Sequence, residues 1–437
     1  MIGEVIRPAR LYDRLSSLVD LSARVIRRPG RSTAEDPRGA LETALRALPS
    51  MRSETRALAT ATQILTGYDT LDADGRLWFF RLLRDGFDPD PEALAAAARE
   101  YADTRDHASL QRLTTLAEPP RQEVLRRLNA VAGGTAQLVA MRADLLALRD
   151  TGEDFARLDA DLRHLLRSWF NRGFLMLVRI DWTSPASLLE KLIQYEAVHE
   201  IQGFADLRRR VLPPDRRCYA YLHPAMPDDP LIFVEIALMR GLPNSIQAIT
   251  AVDRPHLAAT LADTAAFYSI SNCQEGLAGI SFGNLLIKNV VAELQRELPN
   301  LTRFVTLSPM PGLRRWLEEQ AAGNRQAAEV LDRRNHPALP GLAAHYLLKA
   351  RDRAGRPRDP VARFHLGNGA EAHRVIPDAD RSDRGIAQSL GMMVNYLYDL
   401  PRIDARHDAF TEKGIVAAPG ALAELARSAA QPEGEPR

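Results

Sequence analysis

The chain holds 437 residues, with 57 basic side chains against 56 acidic ones and a formal net charge of +1. That length suits two domains, three at most, and the balanced charge gives no electrostatic reason to expect nucleic acid or an anionic membrane as the main partner. No apolar run reaches about 18 residues, so no transmembrane helix is expected, and two cysteines, Cys218 and Cys273, build neither a disulfide framework nor a zinc site on their own.

Residues 1–31 are Arg-rich but carry Glu4, Asp13 and Asp20 and lack a compact apolar segment with a small-residue cleavage site, so a secretory signal is not expected. Only four of the basic residues are Lys and alanine is abundant, which points to a GC-rich bacterial coding bias and a cytoplasmic protein. Leu11, Leu15, Leu18, Val19 and Leu21 begin an amphipathic run, interrupted by a Pro/Gly/Ser/Thr-containing gap over 29–37. Apolar positions three or four apart then predict helices over 40–48, 54–66, 75–83, 91–103, 109–116, 121–132, 135–148 and 154–169. Pro, Gly or Asp separate them, as at Asp88-Pro89-Asp90-Pro91 and Gly133-Gly134. Nothing in this half has catalytic spacing; Asp103, Asp106 and His107 read as a solvated helix end. An all-helical packing or oligomerisation domain is expected over residues 1–168.

The character changes near Asn171. Strands are predicted over 173–180, 217–222, 231–238, 264–270 and 303–307, with helices starting at Pro185 and Leu313. Pro227-Asp228-Asp229-Pro230 reads as a hairpin turn, with His223 part of its turn chemistry. The fold class is therefore α+β: the helical domain, then a mixed-sheet domain over residues 169–437, where the chemistry is expected.

Between the strand ending near Ile270 and an apolar helical run (Leu285, Leu286, Val290, Val291, Leu294) lie three glycines, Gly276, Gly279 and Gly283, within eight residues. A strand, a glycine turn and a helix start make a phosphate cradle, because backbone N–H groups there are free and closely approachable. The competing reading is a tight turn and nothing more. Antiparallel strands followed by strand, glycine loop, helix and strand resemble the acetyl-CoA-dependent N-acyltransferase (GNAT-like) fold. The loop departs from that fold's usual pattern, since Gly276 holds the position where a Gln or Arg leads.

Several blocks taken together resemble the malonyl-CoA decarboxylase family over about residues 170–400. They include Glu196-Ala197-Val198-His199, Arg216-Arg217-Cys218-Tyr219 and Leu307-Ser308-Pro309-Met310-Pro311-Gly312. Further on come Phe364-His365-Leu366-Gly367-Asn368-Gly369-Ala370, Arg384-Gly385-Ile386-Ala387 and Asn395-Tyr396-Leu397-Tyr398. The resemblance implies a lyase of fatty-acid and malonate metabolism that turns malonyl-CoA into acetyl-CoA and CO2 without metal or organic cofactor. It places the catalytic Ser on Ser308 and the catalytic His on His365. It also places the ligand loop on Ala278, Gly279, Ile280, Ser281, Phe282, Gly283 and Asn284, with Gly276 leading in. Some relatives carry a carboxylate where this chain has Ser281. Tyr396 is a plausible third catalytic member, since phenols orient nearby hydroxyls.

Decarboxylation needs a donor for the enolate oxygen, a desolvated carboxylate and a proton for C2. His365 suits proton delivery, because an unperturbed imidazole titrates near about 6.5, and Ser308 suits hydrogen bonding to the carboxylate or the enolate. Read singly, each residue has a plainer role: Ser308 as a helix cap, His365 as a core histidine, Tyr396 and Tyr398 as packing aromatics on a helix. A metal held by His365 and His373 lacks a third ligand. Two further readings stay open: an acyl-CoA-dependent acyltransferase of the same fold, which needs an acceptor site, and a non-enzymatic CoA-binding sensor. Malonyl-CoA and acetyl-CoA are the expected small-molecule partners, with no nucleic acid and no membrane. A homo-oligomer is expected, a tetramer among the candidates.

Overall fold

A computed structural model describes residues 36–280, 286–333 and 335–429. The predicted run at 11–21 lies outside the described residues.

Among the described residues eight α-helices come first: α1 (Pro37–Ala47), α2 (Glu54–Asp69), α3 (Ala73–Gly86), α4 (Pro91–Thr104), α5 (His107–Ala117), α6 (Pro120–Asn129), α7 (Gly134–Ala147) and α8 (Ala156–Trp169). Their starts follow local chemistry. Ser53, Asp72, Asp90 and Asp106 each accept a backbone N–H from the first turn that follows, and Pro91 occupies the first helical position of α4. Asp106 is thus the cap of α5, accepting the Ser109 N–H at 2.8 Å, which is the helix-end reading of the Asp/His cluster. The apolar stripes of α1 to α3 and α6 to α8 meet in one cluster containing Leu45, Tyr68, Phe79, Phe80, Leu125, Leu138 and Leu162. Each fully buried large side chain there contributes about 1.5–3 kcal/mol.

The other faces of α7 and α8 do not stop at that cluster. Val139, Leu166 and Phe170 belong to the largest apolar core, which they share with the sheet. That sheet has eight strands: β1 (Met176–Ile180), β2 (Arg216–Leu222), β3 (Ile232–Met239), β4 (Thr264–Asn272), β5 (Arg303–Thr306), β6 (Ser308–Pro309), β7 (Glu371–Ile376) and β8 (Met393–Leu397). β1 to β4 are consecutive and antiparallel. β4 and β5 are parallel, joined through the glycine segment and helix α9 (Leu286–Glu297). Antiparallel strands leading to strand, glycine loop, helix and parallel strand is the order expected of the acetyltransferase-like fold. Leu286, Ile287, Val290, Val291 and Leu294 bury one stripe of α9 against the sheet, matching the predicted helical spacing.

Two features of the sheet position the site. First, β4 is nine residues long, yet only Thr264 to Phe267 pair with β5. The Leu307 N–H donates to the Phe267 carbonyl at 3.0 Å, and past that point the two strands part. β4 runs on beside β3, while β6 turns to β8, with Ser308 opposite Val394. Second, residues 371–376 and 393–397 form strands β7 and β8, so Tyr396 lies on a strand and Tyr398 just past it. The helix expected around these tyrosines is not what forms: the segment Met393-Val394-Asn395-Tyr396-Leu397 closes the sheet against β5, β6 and β7, and that burial outweighs local preference.

Candidate functional site

Ser308 is the first residue after the strands part. Its side chain is buried, and its Oγ lies 2.9 Å from Thr306 Oγ1 and 3.0 Å from His365 Nε2. Thr306 is itself fixed, because its Oγ1 accepts the Tyr396 N–H and its carbonyl accepts the Asn395 amide at 2.7 Å. His365 comes from helix α10 (Pro360–Gly367), whose start is capped by Asp359 accepting the Ala362 N–H at 2.9 Å. Asp359 also accepts from the Tyr346 hydroxyl at 3.2 Å, so the cap is tied to the neighbouring helix. The second imidazole nitrogen, Nδ1, lies 2.8 Å from the Tyr398 hydroxyl. A continuous chain Thr306–Ser308–His365–Tyr398 results, drawn from β5, β6, α10 and the end of β8.

Burial controls its protonation. Desolvation pushes the His365 imidazole down to about 3, so in the free protein the ring is neutral. The near-neutral value expected from an unperturbed histidine does not survive this environment. Burial also raises both the Tyr396 and Tyr398 phenols well above their ordinary value, so each keeps its proton. A protonated Tyr398 donates to Nδ1, which leaves the ring proton on Nε2, facing Ser308.

Tyr396 is placed differently from Tyr398. Its ring stacks on the imidazole, centroids 4.5 Å apart and planes at 27°, while its buried hydroxyl has no hydrogen-bond partner. The structure therefore brings Ser308, His365 and Tyr396 together as a group, but gives the hydrogen bond to Tyr398. One signal could have brought Tyr398 forward beside Tyr396: in extended chain, residues two apart share a face, and Tyr396 and Tyr398 stand at that spacing. His373 sits on β7 beside Glu371, with its Nδ1 3.3 Å from that carboxylate, so both ring nitrogens of His365 and Nδ1 of His373 have partners of their own. His223 bonds within its turn, accepting the Ala225 N–H at 3.1 Å.

The glycine segment leaves β4 through a short turn at Glu275–Leu277. Gly276 is buried and faces α7: a Cβ there would lie 1.8 Å from the Val139 carbonyl oxygen. This close approach, not a ligand, explains the glycine at 276. Gly279 has φ +76°, the left-handed region that favours glycine, and open space where a Cβ would be. Ala278 and Gly279 are exposed, whereas Ile280 tucks its side chain into the core. Ser281, Phe282, Gly283 and Asn284 lie outside the described residues. One contact from the helical half was not legible in the sequence: the buried Arg142 of α7 donates to the Gly276 and Ala278 carbonyls at 2.7 and 2.9 Å.

With this geometry in hand, comparison with known proteins gives a consistent result. A family model described as the malonyl-CoA decarboxylase C-terminal domain matches residues 173–340 and 323–435, and one described as the N-terminal domain of that family matches residues 87–170. The chain is 38% identical over 327 residues to the mitochondrial malonyl-CoA decarboxylase of Anser anser anser, covering 64% of each chain. It is 36% identical to that of Rattus norvegicus, covering 64% of this chain and 66% of the other. The chain thus spans about 64% of the length of the first of these curated relatives. Two crystal structures, the malonyl-CoA decarboxylases of Rhodopseudomonas palustris and Agrobacterium vitis, are 46% and 45% identical with TM-scores of 0.84. They cover 89% and 88% of this chain and are themselves 99% covered.

Proposed function

The chain belongs to the malonyl-CoA decarboxylase family, and we propose that it is a carboxy-lyase that converts malonyl-CoA to acetyl-CoA and CO2. The observation that carries this reading is the buried Ser308–His365–Tyr398 chain at the place where β4 and β5 part.

The steps follow from that geometry. The malonyl thioester enters the gap between the strands with its carboxylate leaving bulk water. Cleavage of the bond to the carboxylate releases CO2, and the electron pair passes onto the thioester carbonyl as an enolate. The Ser308 hydroxyl, which donates to Thr306 in the free protein and accepts from His365 Nε2–H, turns its proton to the enolate oxygen; one such preorganised donor is typically worth about 3–4 kcal/mol of barrier. Acetyl-CoA then requires one proton at C2. In the free protein His365 has no proton to spare, since burial keeps the ring neutral. The substrate carboxylate supplies the missing counter-charge, so the imidazole takes up a proton from solvent when malonyl-CoA binds. Loss of CO2 moves the negative charge onto the enolate, and Nε2–H gives the proton back to C2. The balance is one malonyl-CoA and one proton in, one acetyl-CoA and one CO2 out.

The reaction calls for no metal or organic cofactor, because the thioester carbonyl is itself the electron sink. We assign the phosphates of CoA to the exposed Ala278–Gly279 backbone, where the Gly279 N–H donates to no backbone carbonyl among the described residues and an unpaired N–H favours an anion. Among the described residues no helix is long and apolar enough to cross a membrane, and the bacterial relatives support a cytoplasmic bacterial enzyme. Self-association, a tetramer included, is part of the same proposal.

The test is incubation of the pure protein with malonyl-CoA alone. Acetyl-CoA and CO2 in equal amounts, without an added acceptor, are expected. Turnover only with an amine acceptor would make the chain an acyltransferase, and tight binding without turnover would make it a sensor.

A further inference from the structure

Besides packing against it through Val139, the helical half hydrogen-bonds the glycine segment through Arg142. Arg142, in α7, is 1% exposed. Its Nη1 donates to two carbonyls of the segment, Gly276 at 2.7 Å and Ala278 at 2.9 Å. Its Nε is held by Asp159 of α8 at 2.7 Å, so the guanidinium is aimed as well as paired. Gly276 makes this reach possible, since any Cβ there would strike the Val139 carbonyl one turn of α7 away.

The consequence lies in the peptide planes. In a trans peptide the carbonyl and the next N–H point in opposite directions. With the Ala278 oxygen turned toward Arg142, the Gly279 N–H faces the other way, toward the open side of the segment. That N–H donates to no backbone carbonyl among the described residues, and among them, chain neighbours aside, none comes within 4 Å of a Cβ position at Gly279. We propose that Arg142 is a positioning residue for the acyl-CoA site: by gripping the Gly276 and Ala278 carbonyls, the helical domain turns the segment's free N–H outward to meet the ligand's phosphates. This rests on the reading of the segment as the CoA cradle. It also gives the helical domain a part in substrate binding, beyond packing or assembly.

Arg142→Met keeps an apolar stem and removes both bonds. It should raise KM for malonyl-CoA by about tenfold or more, the size of a lost charge-assisted hydrogen bond, with kcat within about threefold, because Ser308 and His365 sit on other elements. Arg142→Lys, able to reach one carbonyl, should recover part of the affinity. Asp159→Asn, which leaves both carbonyl bonds in place, should cost less than Arg142→Met. Hydrogen exchange on the ligand-free proteins should show residues 274–280 exchanging faster in Arg142→Met, with peptides around Ser308 unchanged. If Arg142→Met fails to fold, Gly276→Ala provides the same displacement from the loop side and should show the same KM effect. Wild-type KM with unchanged exchange at 274–280 overturns the proposal, as does a fall in kcat and thermal stability with KM unmoved. A wild-type protein that binds CoA but does not decarboxylate malonyl-CoA defeats the activity reading alone; CoA titration and exchange still decide the role of Arg142.

Discussion

Two tyrosines lie against the same imidazole, and removing one oxygen from each separates their roles. Tyr398→Phe keeps the ring and its packing but deletes the hydroxyl 2.8 Å from His365 Nδ1. That nitrogen is buried, so no water replaces the partner, and a buried polar atom left unsatisfied costs about 1–3 kcal/mol. The ring also loses the donor that keeps its proton on Nε2, so both tautomers become populated. If the whole cost falls on the transition state, kcat drops by about 5- to 150-fold. KM should change little, because the phenol stands behind the imidazole, on the side away from Ser308. Tyr396→Phe is the matched control. Its hydroxyl is buried without a partner, so its removal should leave kcat within about twofold and raise thermal stability slightly. Steady-state assays of CO2 release with malonyl-CoA, beside thermal melts of both variants, make the comparison. A damaging Tyr396→Phe with a silent Tyr398→Phe would refute the chain drawn here and return the third role to Tyr396.

Ser308→Ala should lower kcat by about 10²–10³-fold with KM little changed, and intact-protein mass spectrometry of the wild type during turnover should find no acyl adduct on Ser308; an adduct that forms and decays at the turnover rate would replace enolate stabilisation by an acyl-enzyme route. Binding of a non-decarboxylating malonyl-CoA analogue near neutral pH should take up close to one proton, read from the buffer dependence of the calorimetric enthalpy, and His365→Asn should abolish that uptake while lowering kcat by about 10²–10⁴-fold. Stability should fall with acidification below about pH 6.5. Burial holds His365 down to about 3 and His199 down to about 4 in the folded state, so below the unfolded value the unfolded chain binds more protons. Each such group costs about 1.4 kcal/mol per pH unit, and Glu235, pushed up to about 8 by burial, offsets one of the two between about pH 4.5 and 6.5. Denaturant titrations at several pH values check the sign, and a His365→Phe variant should show the shallower acid slope.

Helical periodicity was readable because apolar positions recur three or four apart through the first half and several helices add a start signal; α4 has Asp90, then Pro91. Strands β2 to β5 were readable for the complementary reason, since Cys218 to Leu222 and Ile232 to Leu238 are buried without interruption. β7 and β8 were not, because Glu371-Ala372-His373-Arg374 is polar on one face and its partner segment has no breaker inside it; only pairing across the sheet makes them strands. At the site, Ser308 and His365 stood out as members of longer blocks. The choice of Tyr398 over Tyr396 depended on which phenol reaches Nδ1, a matter of a few ångströms that spacing alone does not fix. Arg142 gave no signal at all. It lies 134 residues before Gly276 and looks like any other arginine of an Arg-rich helical half until the fold buries it.

The single apolar core that runs from α7 and α8 into the sheet also governs how the molecule comes apart. Val139, Leu166 and Phe170 pack in the same cluster as Phe267, Leu286 and Val290. Exposing them would strip the back of the glycine segment and the foot of α9 at once. Heating should therefore give one cooperative transition for both halves, with matching midpoints from near-UV and far-UV signals, and a chain cut after Trp169 should leave two fragments that each show an open apolar face to solvent. The boundary that composition draws near residue 170 is a change of architecture, but the core that crosses it predicts that the two sides melt as one unit.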